Sequence, residues 1–254
     1  MIIVFSGTGN SLVVAQELRS HIGGEVLQLE HELLLEPSKR VLEVPEGEDV
    51  VWVFPIYSWG LPPVVVDFLK RCKLKLNHEP RHFMACTCGD DIGYADNQWR
   101  KLIGRRGWNP RGAFSVQMPN TYVFMKGFDV DTPEAYAKKM EAMPARVAEV
   151  AAAIKRGFAD SDVVRGGMAW VKSAIVYHFF CRFCMSPRQF CATEACTSCG
   201  KCARSCPLGN INIENDQPKW GDKCAFCLRC YHVCPSHAVG YGAETEGKGQ
   251  KKVF

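Results

Sequence analysis

Eight cysteines near the end of the chain form two copies of one pattern, and this repeat constrains the fold more than any other feature. The first copy consists of Cys196, Cys199, Cys202 and Cys206, followed by Pro207. The second copy consists of Cys224, Cys227, Cys230 and Cys234, followed by Pro235. Each cysteine of the second copy lies 28 positions after its counterpart. A C-x2-C-x2-C-x3-C-P run is typical of iron–sulfur proteins, in which the fourth cysteine of each run binds the cluster of the other.

The crossing assigns four thiolates to each of two [4Fe-4S] clusters. The first cluster takes Cys196, Cys199, Cys202 and Cys234, and the second takes Cys224, Cys227, Cys230 and Cys206. Two clusters that exchange ligands must lie close together, which suits the passage of an electron between them. The segment resembles the bacterial two-[4Fe-4S] ferredoxins.

Zinc and disulfides are the alternatives for so many cysteines. A zinc ribbon uses two separate C-x2-C pairs for one tetrahedral ion, so it leaves no role for a third cysteine and a C-P step in each copy. Disulfides are disfavoured because the chain opens on Met1 and a short apolar run, without the charged and cleavable parts of a signal peptide. We therefore expect a reducing, cytoplasmic location.

At 254 residues the chain is longer than a ferredoxin module needs, so a second domain must precede the cysteines. An apolar fraction of 47% is sufficient for its core. Residues 161–254 carry 12 Lys and Arg against 7 Asp and Glu, whereas residues 1–160 carry 19 against 20. With no nucleic-acid-binding motif, this basic excess indicates a solvated or partner-docking surface and no nucleic acid partner.

A polar loop near the start of the chain predicts a phosphate site. An apolar strand over residues 1–5 leads into Ser6, Gly7, Thr8, Gly9, Asn10 and Ser11, and then into a helix with apolar periodicity. Such a loop offers free backbone N–H groups and the positive end of the helix dipole to an anion. It lacks the lysine of the P-loop and the third glycine of the dinucleotide fingerprint. The string FSGTGNS resembles the FMN phosphate loop of flavodoxins.

Two later loops follow predicted buried strands and meet the first at the carboxyl edge of an open sheet. One contains Tyr57, Ser58, Trp59 and Gly60, and the other contains Cys88, Gly89, Asp90, Asp91 and Tyr94. We expect Trp59 and Tyr94 to cover the faces of the flavin ring, with Tyr57 as a third candidate and core packing as the alternative for each. The predicted cofactor-binding residues are Ser6, Thr8, Gly9, Asn10, Ser11, Tyr57, Trp59, Gly60, Cys88, Gly89, Asp90 and Tyr94.

Five predicted strands separated by helices indicate an α/β flavodoxin-like, doubly wound parallel sheet in the order 2-1-3-4-5, joined to a small α+β two-cluster domain. The second strand is expected over 24–29 and the fifth over 113–118. A helix over 132–156 should be capped by Thr132, begin with Pro133 and end at Gly157, with a kink or break at Pro144.

The predicted domains are 1–158, a helical linker over 159–190, the ferredoxin domain over 191–242 and a flexible tail over 243–254. The run from Met168 to Met185 is interrupted by charged residues, so it predicts no transmembrane segment. We interpret it as an amphipathic helix that docks one domain on the other, with an interfacial membrane helix as the alternative. Cys181, Cys184 and Cys191, like Cys72, Cys86 and Cys88, are interpreted as free thiols. In the tail, Lys248, Lys251 and Lys252 are solvated or contact an acidic partner.

Together the two motif sets resemble the flavodoxin/ferredoxin fusion proteins of the EFR1 type. The resemblance implies FMN in the first domain and two [4Fe-4S] clusters in the second. A flavin takes up two electrons in single steps and each cubane carries one, so the chain would link redox protein partners of both kinds. The alternatives are a flavin-dependent reductase of a quinone or nitro compound and a redox sensor; no catalytic residue stands out.

Overall fold

The computed structural model of the chain describes residues 1–251, so Lys252 of the predicted tail lies outside the described residues. A parallel sheet forms the centre of the N-terminal part. Its strands are β1 (Ile2–Val4), β2 (Val26–Gln28), β3 (Val50–Pro55), β4 (Arg81–Cys88), β5 (Asn109–Gln117) and β6 (Ser161–Asp162). They lie in the order β2-β1-β3-β4-β5-β6, and every neighbouring pair is parallel. The predicted flavodoxin-like order is confirmed, with a short sixth strand added at one edge.

Helices cover both faces of this sheet because β3 and β4 are apolar on both sides. They are α1 (Asn10–Ile22), α2 (Pro63–Arg71), α3 (Ala95–Arg105) and α4 (Pro133–Lys155). One core lies between the sheet and α2 and α3, and the other lies between the sheet and α1 and α4. The carboxyl ends of β1, β3 and β4 are thus left to the loops that follow them.

Helix α4 follows the predicted boundaries. Thr132 caps it by accepting a hydrogen bond from the Ala135 N–H at 3.3 Å. Gly157 follows its end with φ +72°. The helix continues through Pro144, so the break is absent, and a kink there stays a prediction. Pro144 lies on the exposed side, where water can satisfy the carbonyl that its ring leaves without a donor.

Shorter elements complete the first part. Val41–Glu43 pairs in parallel with Lys73–Lys75, next to a helical turn at Glu32–Leu35 and a 3-10 turn at Pro37–Lys39. This pair lies outside the main sheet.

The cysteine-rich part repeats its backbone as well as its sequence. Each half contains a short helix, Lys201–Arg204 or Arg229–Val233, and residues with positive φ recur 28 positions apart, at Ser198 and Phe226. An antiparallel hairpin, Ile211–Glu214 with Gln217–Trp220, joins the halves. Phe190–Ala192 pairs with Val239–Tyr241 and closes the unit after a 3-10 turn at Pro187–Gln189.

The segment between the two parts is a helical run with alternating α and π turns: Ala169–Val171, Lys172–Val176, Tyr177–Phe179 and Phe180–Cys184. Tyr177 and Phe180 are its buried side chains. The Tyr177 hydroxyl donates to the Leu61 carbonyl at 2.8 Å, and the Phe180 ring packs 6.1 Å from Phe226, between ring centroids. The segment therefore contacts both parts. Within residues 1–251, no helix has the length and apolar character to cross a membrane.

Residues 243–251, which we predicted as a flexible tail, form hydrogen bonds with the first part of the chain. Lys248 Nζ donates to the carbonyls of Val123 and Met125 at 2.6 and 2.7 Å. The Gly249 N–H donates to Asp129 Oδ1 at 2.9 Å. These bonds tie the end of the described chain to the loop that follows β5. Lys248 thus bonds to this chain's own carbonyls.

Candidate functional site

A cavity of about 500 Å³, here called the large cavity, opens at the carboxyl edge of the sheet. The loops after β1, β3, β4 and β5 form its floor, as expected for an open α/β sheet. The helical run at Val176, Phe179, Phe180 and Cys184 covers one side. The cysteine-rich part closes another side with Phe226, Cys227 and Leu228. A volume of this size suits a cofactor or a drug-sized ligand.

The loop between β1 and α1 is built to hold an anion. Its hydroxyl side chains are almost fully buried and fixed: Ser11 Oγ lies 2.8 Å from Thr87 Oγ1, and Thr8 Oγ1 lies 3.0 Å from Thr121 Oγ1. Gly9 precedes α1, and no side chain caps that helix. Asn10 Oδ1 is buried without a hydrogen-bond partner in the described chain. Uncapped N–H groups of a first helical turn favour a phosphate, so the loop fits a phosphate group.

Most of the predicted cofactor residues line the large cavity: Ser6, Thr8, Asn10, Ser11, Tyr57, Trp59, Cys88, Gly89 and Asp90. Gly9, Gly60 and Tyr94 do not. The Gly9 N–H points back to Ser6 Oγ at 3.2 Å. The Tyr177 ring covers Gly60 and leaves no space for a Cβ there.

Tyr94 is turned away from the cavity by its neighbours. The Arg165 guanidinium lies 4.9 Å from the centroid of its ring, a cation–π contact. Arg165 is itself fixed by two 2.7 Å bonds to the fully buried Asp96. The prediction that Tyr94 covers a flavin face is therefore not supported by its position. Trp59 and Tyr57 remain on the cavity wall, with Lys172 Nζ 4.9 Å from the Trp59 ring centroid.

Other residues that line the large cavity escaped the sequence analysis. They are the aromatic and polar side chains of the loop after β5 and of the helical run: Asn120, Thr121, Tyr122, Met125, Phe128, Phe179 and Phe180. Tyr122 connects the two segments, because its ring centroid lies 5.6 Å from that of Phe128 and 6.0 Å from that of Phe180. The Pro119-Asn120 step after a strand was the available signal, since ligands bind beyond strand ends.

The four cysteines assigned to the second cluster lie around one small cavity. Cys206, Cys224, Cys227 and Cys230 all line it, together with apolar side chains such as Ile211 and Leu228. Burial and then the Cys227 thiol raise the pKa of Cys224 to about 12, with a smaller contribution from Cys206. Cys206 has thus crossed to the second run, which is the grouping that the ferredoxin pattern predicts.

The first group is nearer to the surface. Burial raises the pKa of the Cys202 thiol, and the neighbouring Cys234 and Cys196 thiols add to the rise. Cys234 thus lies with the first run. Cys199 is exposed. The Ala238 N–H donates to Cys234 Sγ at 3.2 Å, a bond of the kind that tunes a cluster's reduction potential.

Nowhere in residues 1–251 do three Cys, His, Asp or Glu side chains converge closely enough to hold a single metal ion. Of the other thiols near the two cysteine groups, Cys184 lines the large cavity and Cys191 is exposed.

The phosphate loop and the second cysteine group touch each other directly. A Cβ added at Gly7 would lie 2.5 Å from the Cys227 carbonyl oxygen and 2.9 Å from Cys227 Cβ. Arg229 reaches across the same contact and donates to the Gly7 carbonyl at 2.8 Å and to the Ser6 carbonyl at 2.5 Å. A cysteine of the second group therefore lies against both the phosphate loop and the large cavity.

Comparison with known proteins identifies part of the chain. The 4Fe-4S dicluster domain family matches residues 195–239. Subunit Rpo3 of the DNA-directed RNA polymerase of Methanosarcina acetivorans is 38% identical over 50 residues, which are 18% of this chain. The chain spans only 19% of the length of that subunit.

Solved structures resemble the N-terminal part at low identity. The Trp repressor binding protein of Bacillus subtilis is 13% identical (TM-score 0.37), and the match covers 59% of this chain and 96% of that one. The flavodoxin of Streptococcus pneumoniae TIGR4 is 15% identical (TM-score 0.34), with 59% and 97% covered. The rubredoxin:oxygen oxidoreductase of Desulfovibrio gigas is 13% identical (TM-score 0.32), with 60% and 35% covered. From its own strand order and the family match, the chain joins a flavodoxin-like fold to a C-terminal 4Fe-4S dicluster ferredoxin domain.

Proposed function

We propose that this chain is an electron-transfer protein of the EFR1 type, which passes electrons between FMN in the large cavity and two [4Fe-4S] clusters. One observation carries the proposal: Cys227, a ligand in our assignment, lines both the large cavity and the small cavity of the second cysteine group. When bound, FMN exchanges two electrons in single steps and each cluster exchanges one. Such a chain links one-electron and two-electron redox partners.

Different residues of the large cavity would bind different parts of FMN. The loop from Ser6 to Ser11 would hold the phosphate, and Tyr57 and Trp59 would flank the ring. Tyr57 also lies beside the second group: burial raises the pKa of its phenol, and the Cys227 and Cys224 thiols raise it further. Tyr57 therefore lies on the wall of the large cavity next to the second cysteine group.

The positions of the two cysteine groups favour one order of electron transfer through the protein. The second group, with Cys227, adjoins the large cavity, whereas Cys199 of the first group is exposed. We assign the second cluster as the neighbour of FMN and the first as the contact for a redox protein. Lys201 and Arg204, in the short helix after Cys199, favour an acidic partner there.

The test is anaerobic reconstitution followed by analysis of iron, sulfide and flavin per chain. We expect about eight iron and one FMN, and stepwise reduction watched by absorbance and EPR should show cluster electrons reaching the flavin of the same molecule. Cys206→Ser should lower the iron content by about one cubane and leave flavin bound. Cys191→Ser, in a thiol outside both groups, is the matched control. Clusters without flavin would refute the proposal.

A flavin-dependent reductase is the second candidate, because the large cavity opens through an apolar mouth. Met125, Phe128, Val176 and Phe179 line the cavity and are also exposed. A planar quinone or nitro compound could enter there. Turnover of such a compound with a chemical donor and no acceptor protein would favour the reductase.

A further inference from the structure

The helical run carries an unusually exposed row of large apolar side chains, here called the apolar face. It consists of Met168, Trp170, Ile175, Phe179 and Phe183. Met168 is 73% exposed, Trp170 64% and Phe183 65%. Ile175, Phe179 and Phe183 are four residues apart, so they share one side of the helix, and the rings of Phe179 and Phe183 lie 5.0 Å apart. Single exposed apolar residues are ordinary, but five large ones within a helical segment of 16 residues indicate a contact site.

The apolar face continues across the mouth of the large cavity. On the far side of the mouth, Met125 and Phe128 are 36% and 45% exposed. Tyr122 bridges the two sides through its contacts with Phe128 and Phe180. The exposed surface is therefore one patch formed by two segments, with the cavity opening between them.

The segment that carries the apolar face is basic, whereas Asp90 is an exposed acid on the wall of the cavity. Residues 163–193 contain no Asp or Glu and four basic residues, Arg165, Lys172, Arg182 and Arg188. Lys172 is paired with Asp91, and Arg165 with Asp96. Arg182 and Arg188 form no ion pair within residues 1–251, and neither does Lys126 in the loop across the mouth. Asp129, beside that loop, accepts the Gly249 N–H.

We propose that the apolar face docks the protein on the surface of an anionic lipid bilayer. Exposed Trp and Phe beside unpaired Arg and Lys form the pattern of an interfacial helix, in which the rings enter the acyl boundary and the cations meet the headgroups. A second copy of this chain is a poorer occupant, because residues 163–193 offer no acid that could pair Arg182 or Arg188 of a facing copy of the same segment. In the membrane-bound protein, the mouth of the large cavity faces the lipid.

The measurement is co-sedimentation of the cofactor-loaded, full-length protein with vesicles. One set is made of phosphatidylcholine alone and the other of equimolar phosphatidylcholine and phosphatidylglycerol. We expect binding to the anionic vesicles and much weaker binding to the neutral ones. Arg182→Gln and Lys126→Gln each remove one cation, and each substitution should weaken binding to the anionic vesicles roughly fivefold.

A second variant tests the apolar contact. Trp170→Ser with Phe183→Ser should lower binding to anionic vesicles roughly tenfold or more. Neither side chain lines the large cavity, so flavin and iron content should not change. Leu35→Ser with Ile213→Ser removes two apolar residues of 42% and 39% exposure elsewhere and is the matched control.

Three results would overturn the proposal. The first is an absence of wild-type binding to either kind of vesicle, and the second is equal binding by wild type and the Trp170/Phe183 variant. The third is a wild-type dimer by light scattering that this variant dissociates, because a second copy would then cover the face. Sedimentation and light scattering report association alone, so neither result depends on which function the cofactors serve.

Discussion

Arg229 joins the two parts of the chain, and its removal is the sharpest test of how they are held together. Its guanidinium donates to the Gly7, Ser6 and Ser205 carbonyls at 2.8, 2.5 and 3.0 Å, and it also pairs with Glu30. Its side chain is 12% exposed. Because one guanidinium makes all of these bonds, the conformational entropy that the side chain loses on folding is shared among several bonds.

The magnitude follows from these contacts. A hydrogen bond to a charged group contributes about 1.5–3 kcal/mol, and removing one partner of a buried ion pair costs about 3–5 kcal/mol. The bonds of Arg229 share one group and do not add, so we expect Arg229→Met to lower the free energy of unfolding by about 4 kcal/mol. For a chain of this size, that corresponds to a fall in Tm of about 8–16 °C.

The assay is denaturant unfolding of the cofactor-loaded chain, followed by tryptophan fluorescence, with iron quantified before each run. Arg229→Lys keeps the positive charge but loses the planar guanidinium with its several donors. Its free energy of unfolding should therefore lie between those of the wild type and Arg229→Met. Arg19→Met is the control, because Arg19 is exposed on α1 and its side chain makes no hydrogen bond within residues 1–251. If Arg229→Met unfolds within about 0.5 kcal/mol of this control at equal iron content, the interface is held by other contacts.

Three further predictions concern the first part of the chain. Burial lowers the pKa of His82 to about 4, so only the unfolded chain takes up the proton between about pH 6.5 and 4, and the free energy of unfolding should fall by up to about 3 kcal/mol over this range. When the unfolding of His82→Gln is measured over the same pH range, its stability should depend less on pH. Tyr177→Phe removes the bond to the Leu61 carbonyl and should cost about 1–2 kcal/mol in denaturant unfolding, whereas equal stability would mean that this bond does not hold the helical run. Thr132→Ala removes the cap of α4 and should cost about 1 kcal/mol, which Thr132→Ser should restore.

Local sequence patterns predicted much of this molecule. The strand order and the start of α4 depend on periodicity and capping within one segment, and both are confirmed. The phosphate loop is likewise local, and Ser6 and Thr8 do line the large cavity. Cys206 also lies with the second run, as the repeat predicts.

What the sequence analysis missed depends on contacts between distant segments. The orientation of Tyr94 depends on Arg165, 71 positions later, and Gly60 is covered by Tyr177. No periodicity encodes either contact. The bonds of Lys248 to two carbonyls of the loop after β5 are likewise not encoded in the composition of residues 243–251. Such packing is visible only when both segments are folded.

The contact at Gly7 shows why the two parts act as one unit. The backbone of the phosphate loop packs against Cys227 at Gly7, and Arg229 donates hydrogen bonds to carbonyls of the same loop. A ligand phosphate would order this loop from within, and a cluster would order Cys227 from the other side. Each then stabilises the surface against which the other is built, so binding at one site must favour binding at the other by the same free energy. The absence of a side chain at residue 7 is therefore needed for the contact with Cys227.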